Sequence, residues 1–206
     1  MGLAAPKVSS AFSASLRWSF LCFATCASLL SPASAGAQQI AVTIDPAATQ
    51  INFTLGATMH TVHGVFKLKS GRMQWDTATN RASGAIVIDA TTGNTDNSGR
   101  DKNMHAQVLE SAKFPEIVFV PSQVKGALAK DRNSQLEVSG VIKLHGQDHD
   151  QTLTIAVQPG ANGTLQATMQ FPVPFKMWGL RDPSTFLLHV ADSVNMEIHA
   201  VARINP

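Results

Sequence analysis

RDKNMHAQVLESAKFPEIVF, residues Arg100 to Phe119, changes character halfway along. Its first half reads as a short helix with Met104, Val108 and Leu109 on one side. Phe114-Pro115 ends that pattern, because the residue before a proline is pushed toward extended backbone. Glu116 to Phe119 then forms a strongly β-prone run. Since the segments on either side alternate like strands, the stretch decides the fold. It predicts an all-β barrel or sandwich with one short helical insertion around residues 100–112, near the mouth.

Working outward, period-two alternation recurs in Ile40 to Ile44, Ile51 to Leu55, Leu136 to Leu144, Leu153 to Val157, Leu165 to Phe171 and Val194 to Ala200. Ala85 to Ile88 is a compact β-branched run, and Val65 to Leu68 leads into an expected turn at Lys69-Ser70-Gly71. Alternation means one buried face and one wet face, which favours antiparallel sheet. Turn residues stand at Asp76 to Asn80, Asp131 to Asn133 and Pro159 to Gly163, and no long amphipathic helix separates the strands. Eight or so strands joined as hairpins follow. Closing them into a barrel removes exposed edges and leaves room for one small ligand. Phe171 to Ser184, with three prolines and a glycine, is too irregular for sheet throughout and is expected at one end of the barrel as a lid or wall lining.

The amino-terminal residues read as a targeting segment. Lys7 and Arg17 precede an apolar run from Trp18 to Leu30, Pro32 breaks it, and Ala33-Ser34-Ala35 supplies small residues for cleavage. That run, about 13 residues, is shorter than the ~20 needed to span a bilayer. The expectation is a secretory signal over residues 1–35, with cleavage after Ala37 as the close alternative, followed by a single domain over 38–206. Both cysteines, Cys22 and Cys26, would leave with it, so the exported domain relies on its core rather than on disulfides. Losing Lys7 and Arg17 takes the formal charge from +2 to zero. A neutral chain offers no basic face for nucleic acid.

Catalytic signals are absent: there is no nucleophile elbow, no phosphate-cradling glycine loop and no cysteine in the mature chain. Two histidine pairs, His60/His63 and His145/His149, are the candidate metal ligands and support an alternative reading as an exported metal-binding or structural β-domain. Residues three apart on a strand point to opposite faces, which argues against the first pair, whereas Gly146 permits a tight turn between His145 and His149. Phenylalanines and methionines are spread through nearly every segment: Phe53, Phe66, Phe114, Phe119, Phe171, Phe175 and Phe186, with Trp178, and Met59, Met104, Met169, Met177 and Met196. They suit either a barrel core or an adaptable apolar pocket. Arg100, Asp101 and His105 head the helical insertion, where Arg100 and Asp101 serve either as a helix cap or as polar ligand contacts.

The order of these segments resembles the YceI-like family, the lipocalin-like polyisoprenoid-binding proteins of bacterial periplasm. Four pieces carry the resemblance: Thr61-Val62-His63-Gly64-Val65-Phe66; Arg100-Asp101 with Met104, Val108-Leu109-Glu110 and Phe114-Pro115-Glu116-Ile117 through Phe119; Leu136 to Gly146; and Trp178-Gly179-Leu180 with Asp182-Pro183-Ser184. It extends from about Thr43 to Arg203. Two departures fall at the rim, near Ala57 and in Gly146-Gln-Asp-His-Asp150. The resemblance implies an eight-stranded antiparallel lipocalin-like barrel whose tunnel holds an isoprenoid or other long-chain lipid, such as a polyprenyl or quinone tail. It implies no cofactor beyond such a bound lipid, a periplasmic location, a soluble rather than membrane-spanning domain and no catalysis, and it allows for a homodimer. The implied tunnel lining is Phe53, Leu55, Phe66, Met104, Leu109, Phe114, Phe119, Ile142, Phe171, Phe175, Trp178 and Met196, with Arg100, Asp101 and His105 as polar contacts.

Overall fold

Antiparallel pairing runs around the molecule and returns to its start. The computed structural model describes residues 39–129, 131–186 and 188–205. The expected signal over residues 1–35, and its cleavage points after Ala35 or Ala37, lie outside the described residues. The strands are β1 (Gln39–Ile44), β2 (Gln50–Gly56), β3 (Thr61–Asp76), β4 (Arg81–Asn94), β5 (Glu116–Lys125), β6 (Ser134–Leu144), β7 (Gln147–Pro159), β8 (Thr164–Val173) and β9 (Val194–Asn205).

Nine strands make eight staves. β1 pairs with the far end of β3 (Ile44 opposite Gly71) and with the end of β9 (Ile44 opposite Ala202). β2 pairs with the near end of β3 (Ile51 opposite Phe66) and the start of β9 (Ile51 opposite Ile198). The two short strands therefore lie end to end in one position of the barrel. The break between them is a loop closed by its own polar groups. The Asp45 amide donates to the Val201 carbonyl at 2.8 Å, and the Thr49 hydroxyl donates to the Asp45 carbonyl at 2.7 Å. The remaining staves follow in chain order from β3 to β9, so the barrel is closed, eight-stranded and antiparallel.

The alternation read in the sequence is the in/out alternation of this wall. Along β3, Val62, Gly64, Phe66 and Leu68 are buried while Thr61, His63, Val65 and Lys67 are exposed. The turn expected at Lys69-Ser70-Gly71 does not form, because β3 runs straight through it. A register shift between Leu68 and Ser70 inserts one extra residue, and the phase flips so that Gly71 and Trp75 are buried instead. Two consecutive outward polar residues look like a turn in sequence, but here they are a bulge, which bends the strand without ending it.

The barrel's two ends differ. At the end where β1 starts and β9 finishes, Ile40, Trp75, Val124, Leu136, Val138, Val157 and Leu165 fill the interior, with Val124 at 0% exposure. At the other end sit the helical insertion and the 174–193 loop. The insertion starts earlier and stops sooner than expected. Helix α1 covers Ser98–Asn103 and continues as a single π-type turn over Met104–Val108. Glu110, at φ 45°, turns the chain out of it, and the amides of Lys113 and Phe114 both donate to the Glu110 carbonyl at 2.8 and 2.9 Å.

The β6–β7 hairpin closes through a two-residue turn, His145-Gly146, between the Leu144–Gln147 pair. Both turn residues have positive φ, 52° and 75°, the geometry that matches strand twist in two-residue hairpins. A Cβ on Gly146 would also lie 2.8 Å from the Phe114 ring. Gly146→Val should therefore lower unfolding stability by about 1–3 kcal/mol, from backbone strain and the ring contact together. Urea denaturation should show this as a lower midpoint at unchanged slope.

Candidate ligand-binding lumen

The inward side chains enclose a cavity that reaches down to Trp75, Leu136, Val138, Val157 and Leu165 of the filled end and measures about 590 Å³. This falls within the ~300–1,000 Å³ usual for small-molecule sites. Its middle zone is built on Ile51, Phe53, Phe66 and Leu68, with Ile86, Ile88, Met104, Leu109, Met196 and Ile198 against them. The Phe53 and Phe66 rings lie 5.1 Å apart, tilted by 34°. Gly64 makes room for this pair, since a Cβ there would come within 2.3 Å of Phe53 Cζ. Its upper zone is built on Ile142, Leu144, Phe175 and Leu180, with Leu55, Val108, Phe119, Phe171 and Val190 around them.

The structure brings most of the expected lining together. Phe53, Leu55, Phe66, Met104, Leu109, Phe119, Ile142, Phe171, Phe175 and Met196 all form the cavity wall, and Arg100 lies at its rim. The π-type turn has a specific effect here. The Leu109 amide donates to the Met104 carbonyl at 2.9 Å, five residues back, which widens the turn and keeps Met104, Val108 and Leu109 all on the lumen side.

Four expected site residues do not reach the cavity. Phe114 precedes β5, so strand parity does not govern it. Its ring lies against His145 with centroids 4.5 Å apart, under Lys113 Nζ at 4.8 Å. Trp178 stacks flat on His149 at 4.1 Å and 4°, and Phe175 and Leu180 of the same loop take the inward positions. Asp101 is turned back to its own chain, where one carboxylate oxygen accepts from the Thr95 amide at 3.0 Å and the Thr95 hydroxyl at 2.5 Å. His105 anchors the insertion to β4. Its Nε2 donates to the Gly93 carbonyl at 2.8 Å, leaving Nδ1 to accept from the Ser111 hydroxyl at 2.9 Å.

Neither Arg100 nor Asp101 is the helix cap. Asn97 fills that role, its side-chain oxygen accepting from the Arg100 amide at 3.0 Å. Of the wider aromatic and methionine set, Met59, Met177 and Phe186 are also outside, at 85%, 84% and 94% exposure. Beside a larger number on the strands, the lumen residues that sequence reasoning missed include five of the late loop, Leu180, Pro183, Thr185, Leu188 and Val190. No periodicity marks a loop, so only its apolar content hinted at them. Val62, Leu68, Ile86, Ile88 and Ile198 were findable by carrying the parity of Phe53 and Phe66 across neighbouring strands.

The histidine pairs do not converge. His60 faces the lumen rim, whereas His63 lies outside beside Thr54, with Nδ1 3.4 Å from its hydroxyl. His145 Nε2 is 2.5 Å from Glu110, and His149 is stacked on Trp178. Among the described residues no group of three or more histidine, cysteine or acidic side chains could hold a metal ion. No helix among them is long and apolar enough to cross a membrane.

A family model for a YceI-like domain matches residues 42–202. A UPF0312 protein of Pseudomonas putida strain W619 is 35% identical over 88 residues, covering 41% of this chain and 43% of that protein. The match thus spans less than half the length of that relative. Among solved structures, a polyisoprenoid binding domain from Saccharophagus degradans, described as implicated in plant cell wall breakdown, superimposes with a TM-score of 0.61 at 16% identity, covering 81% of this chain and 99% of its own. BcnA of Burkholderia cenocepacia does so with a TM-score of 0.63 at 16% identity, covering 77% and 98%. At that identity the likeness is one of fold.

The late loop is held over the mouth by Lys176. Its ammonium lies 2.8 Å from both Asp182 and Asp192 and donates to the Val190 carbonyl at 3.2 Å. The Lys176 hydrogen bond, followed by those from Ser184, lowers the Asp182 carboxyl to about 2. A carboxylate depressed in the folded state stabilises above its unfolded value near 3.8, and that contribution is lost as pH falls through about 2. Pepsin should therefore cleave within residues 174–193 faster at pH 2 than at pH 4, relative to an unfolded control peptide, and Asp182→Asn should narrow that difference.

Proposed function

The chain belongs to the YceI-like domain family, and from this and the lumen we propose that it is a periplasmic carrier holding an isoprenoid or other long-chain lipid, such as a polyprenyl or quinone tail, without catalysis. The observation that carries the reading is a cavity with apolar walls, floored by Trp75 at the filled end and lying beneath two anchored covers, α1 and the late loop. A tail placed there leaves water along its whole length, at roughly 25 cal/mol per Å² of apolar surface removed. The outward residues of the same strands are polar, so the loaded barrel presents a wettable surface to an aqueous compartment. The polyisoprenoid-binding description of the Saccharophagus degradans domain, whose fold this chain shares, supports the same reading.

Binding fits the wall better than turnover does. The histidine on the wall among the described residues is His60, at the rim, and His105, behind the insertion, has both ring nitrogens engaged by Gly93 and Ser111. The wall carries no carboxylate to serve as a base among the described residues. Export is testable on the same material, because the mature protein should begin at Gly36 or Gln38. Homodimer formation can be measured by sedimentation.

Native mass spectrometry of protein purified from its own periplasm should show about one lipid per chain. The reading fails if organic extraction of folded protein yields no lipid or quinone and none binds on titration. Phe171→Glu places a charge on the wall and should weaken binding of an isoprenoid tail tenfold or more, about 1.4 kcal/mol. Val65→Glu, on the outer face, should leave affinity unchanged. Equal affinity of both folded variants with the parent would place the ligand elsewhere.

A further inference from the structure

We propose that the lipid held in the lumen has an anionic head, a phosphate ester or a carboxylate, and that the Arg100 guanidinium is its counter-ion. This rests on the carrier reading above and adds the chemical class of the head.

Among the described residues, the lumen wall contains one permanently charged side chain, Arg100, and no Asp or Glu. Nearly all the rest of the wall is apolar, and its other polar members are Thr49, His60, Thr95, Asn103 and Thr185. None of the lysines in the described ion pairs is itself on the wall: Lys69 pairs with Glu116, Lys143 with Asp148, and Lys176, beside the mouth, with Asp182 and Asp192. Arg100 is half-buried and forms no ion pair with a described residue. The Asp101 carboxylate reaches it only through the Thr95 hydroxyl, and a cation kept partly from water beside apolar walls is favoured by an anion that meets it directly.

Its geometry is fixed rather than free. Nε donates to the Thr95 hydroxyl and Nη2 to the Thr95 carbonyl, both at 2.7 Å. The Thr95 hydroxyl passes its own hydrogen to Asp101 at 2.5 Å, so Asp101 orients the guanidinium without touching it. One edge of the planar group is thereby pinned to the turn before α1. The N–H groups of Nη1 and the second of Nη2 remain for a ligand, arranged as a fork that suits two oxygens of a phosphate or carboxylate. Asn103, three residues along α1 and also on the wall, stands on the same side of the helix at the water edge, where its amide can donate to the same head. A neutral alcohol or quinone carbonyl would use a hydrogen bond from this site but not its charge.

The test is titration of lipid-free mature protein with three ligands of matched tail: geranylgeranyl monophosphate, geranylgeranoic acid and geranylgeraniol. Both anions should bind at least tenfold more tightly than the alcohol at low salt, and the gap should narrow at high salt. Arg100→Gln should bring the anion-to-alcohol ratio close to one while changing alcohol affinity less than about twofold. Arg100→Lys, which keeps the charge but not the fork, should fall between. A phosphate bound more tightly than the acid would identify a phosphorylated head, and equal affinity would identify any anion of this shape; either supports the proposal. Equal binding of all three ligands by the parent protein would overturn it while leaving the carrier reading intact. It is overturned equally if Arg100→Gln weakens all three alike, since that reports only the seating of Thr95. Failure of every ligand to bind the folded protein would overturn both.

Discussion

Everything in this molecule depends on one stave being shared by two short strands. Only because β1 and β2 together span from β3 to β9 does every stave have a paired neighbour on both sides, although β7 and β8 pair only over Ala156 to Pro159. Closure then dictates the chemistry of the interior. Each strand must send every second side chain inward, and eight staves enclose a space that side chains can just fill or can leave as one small-ligand cavity. Trp75 and Val124 fill it at one end. Phe53, Phe66 and Ile142 line it at the other without closing it.

Both covers of the open end touch the β6–β7 hairpin, in addition to their bonds to β4 and to the β2–β3 connection. His145 at the β6–β7 turn reaches Glu110 at the exit of the helical insertion, and His149 on β7 takes Trp178 of the late loop against its ring. Both ends of the first contact use left-handed backbone, Glu110 at φ 45° and His145 at φ 52°. Non-glycine residues occupy that region at a cost of about 1 kcal/mol or more each, which the His145–Glu110 hydrogen bond and the Phe114 contact help to offset. The segment Gly146 to Asp150 is where the chain departs from the expected hairpin pattern. Those rim residues do not line the cavity, but Gln147 and His149 pair with Leu144 and Ile142, which do. Variation there can alter access to the lumen without altering its lining.

Legibility in the sequence followed the periodicities. The barrel could be read because Leu165 to Phe171 and Leu136 to Leu144 alternate without interruption, and parity alone placed Phe119, Phe171 and Met196 inward. Where no period applied, aromatic character misled. Phe114 and Trp178 are large and apolar, but each lies in a turn whose direction is set by positive-φ residues and histidine contacts that are remote in sequence. Polar residues divided similarly. Arg100, Asp101 and His105 are near neighbours, yet only Arg100 faces the cavity, because Thr95, Gly93 and Ser111 capture the other two. The β3 bulge was hidden because an inserted outward residue and a turn leave the same polar pair in the sequence.

The closing stave also decides how the barrel can be oriented. Ala41 on the first described strand lies opposite Asn205 on the last, so the two described ends of the barrel lie together beside the packing formed by Ile40 and Trp75. The lumen opens at the far end. An affinity label, a surface attachment or a second domain joined at either terminus would hang from the base, pointing the entrance away from its anchor and leaving it clear for exchange with whatever lies opposite.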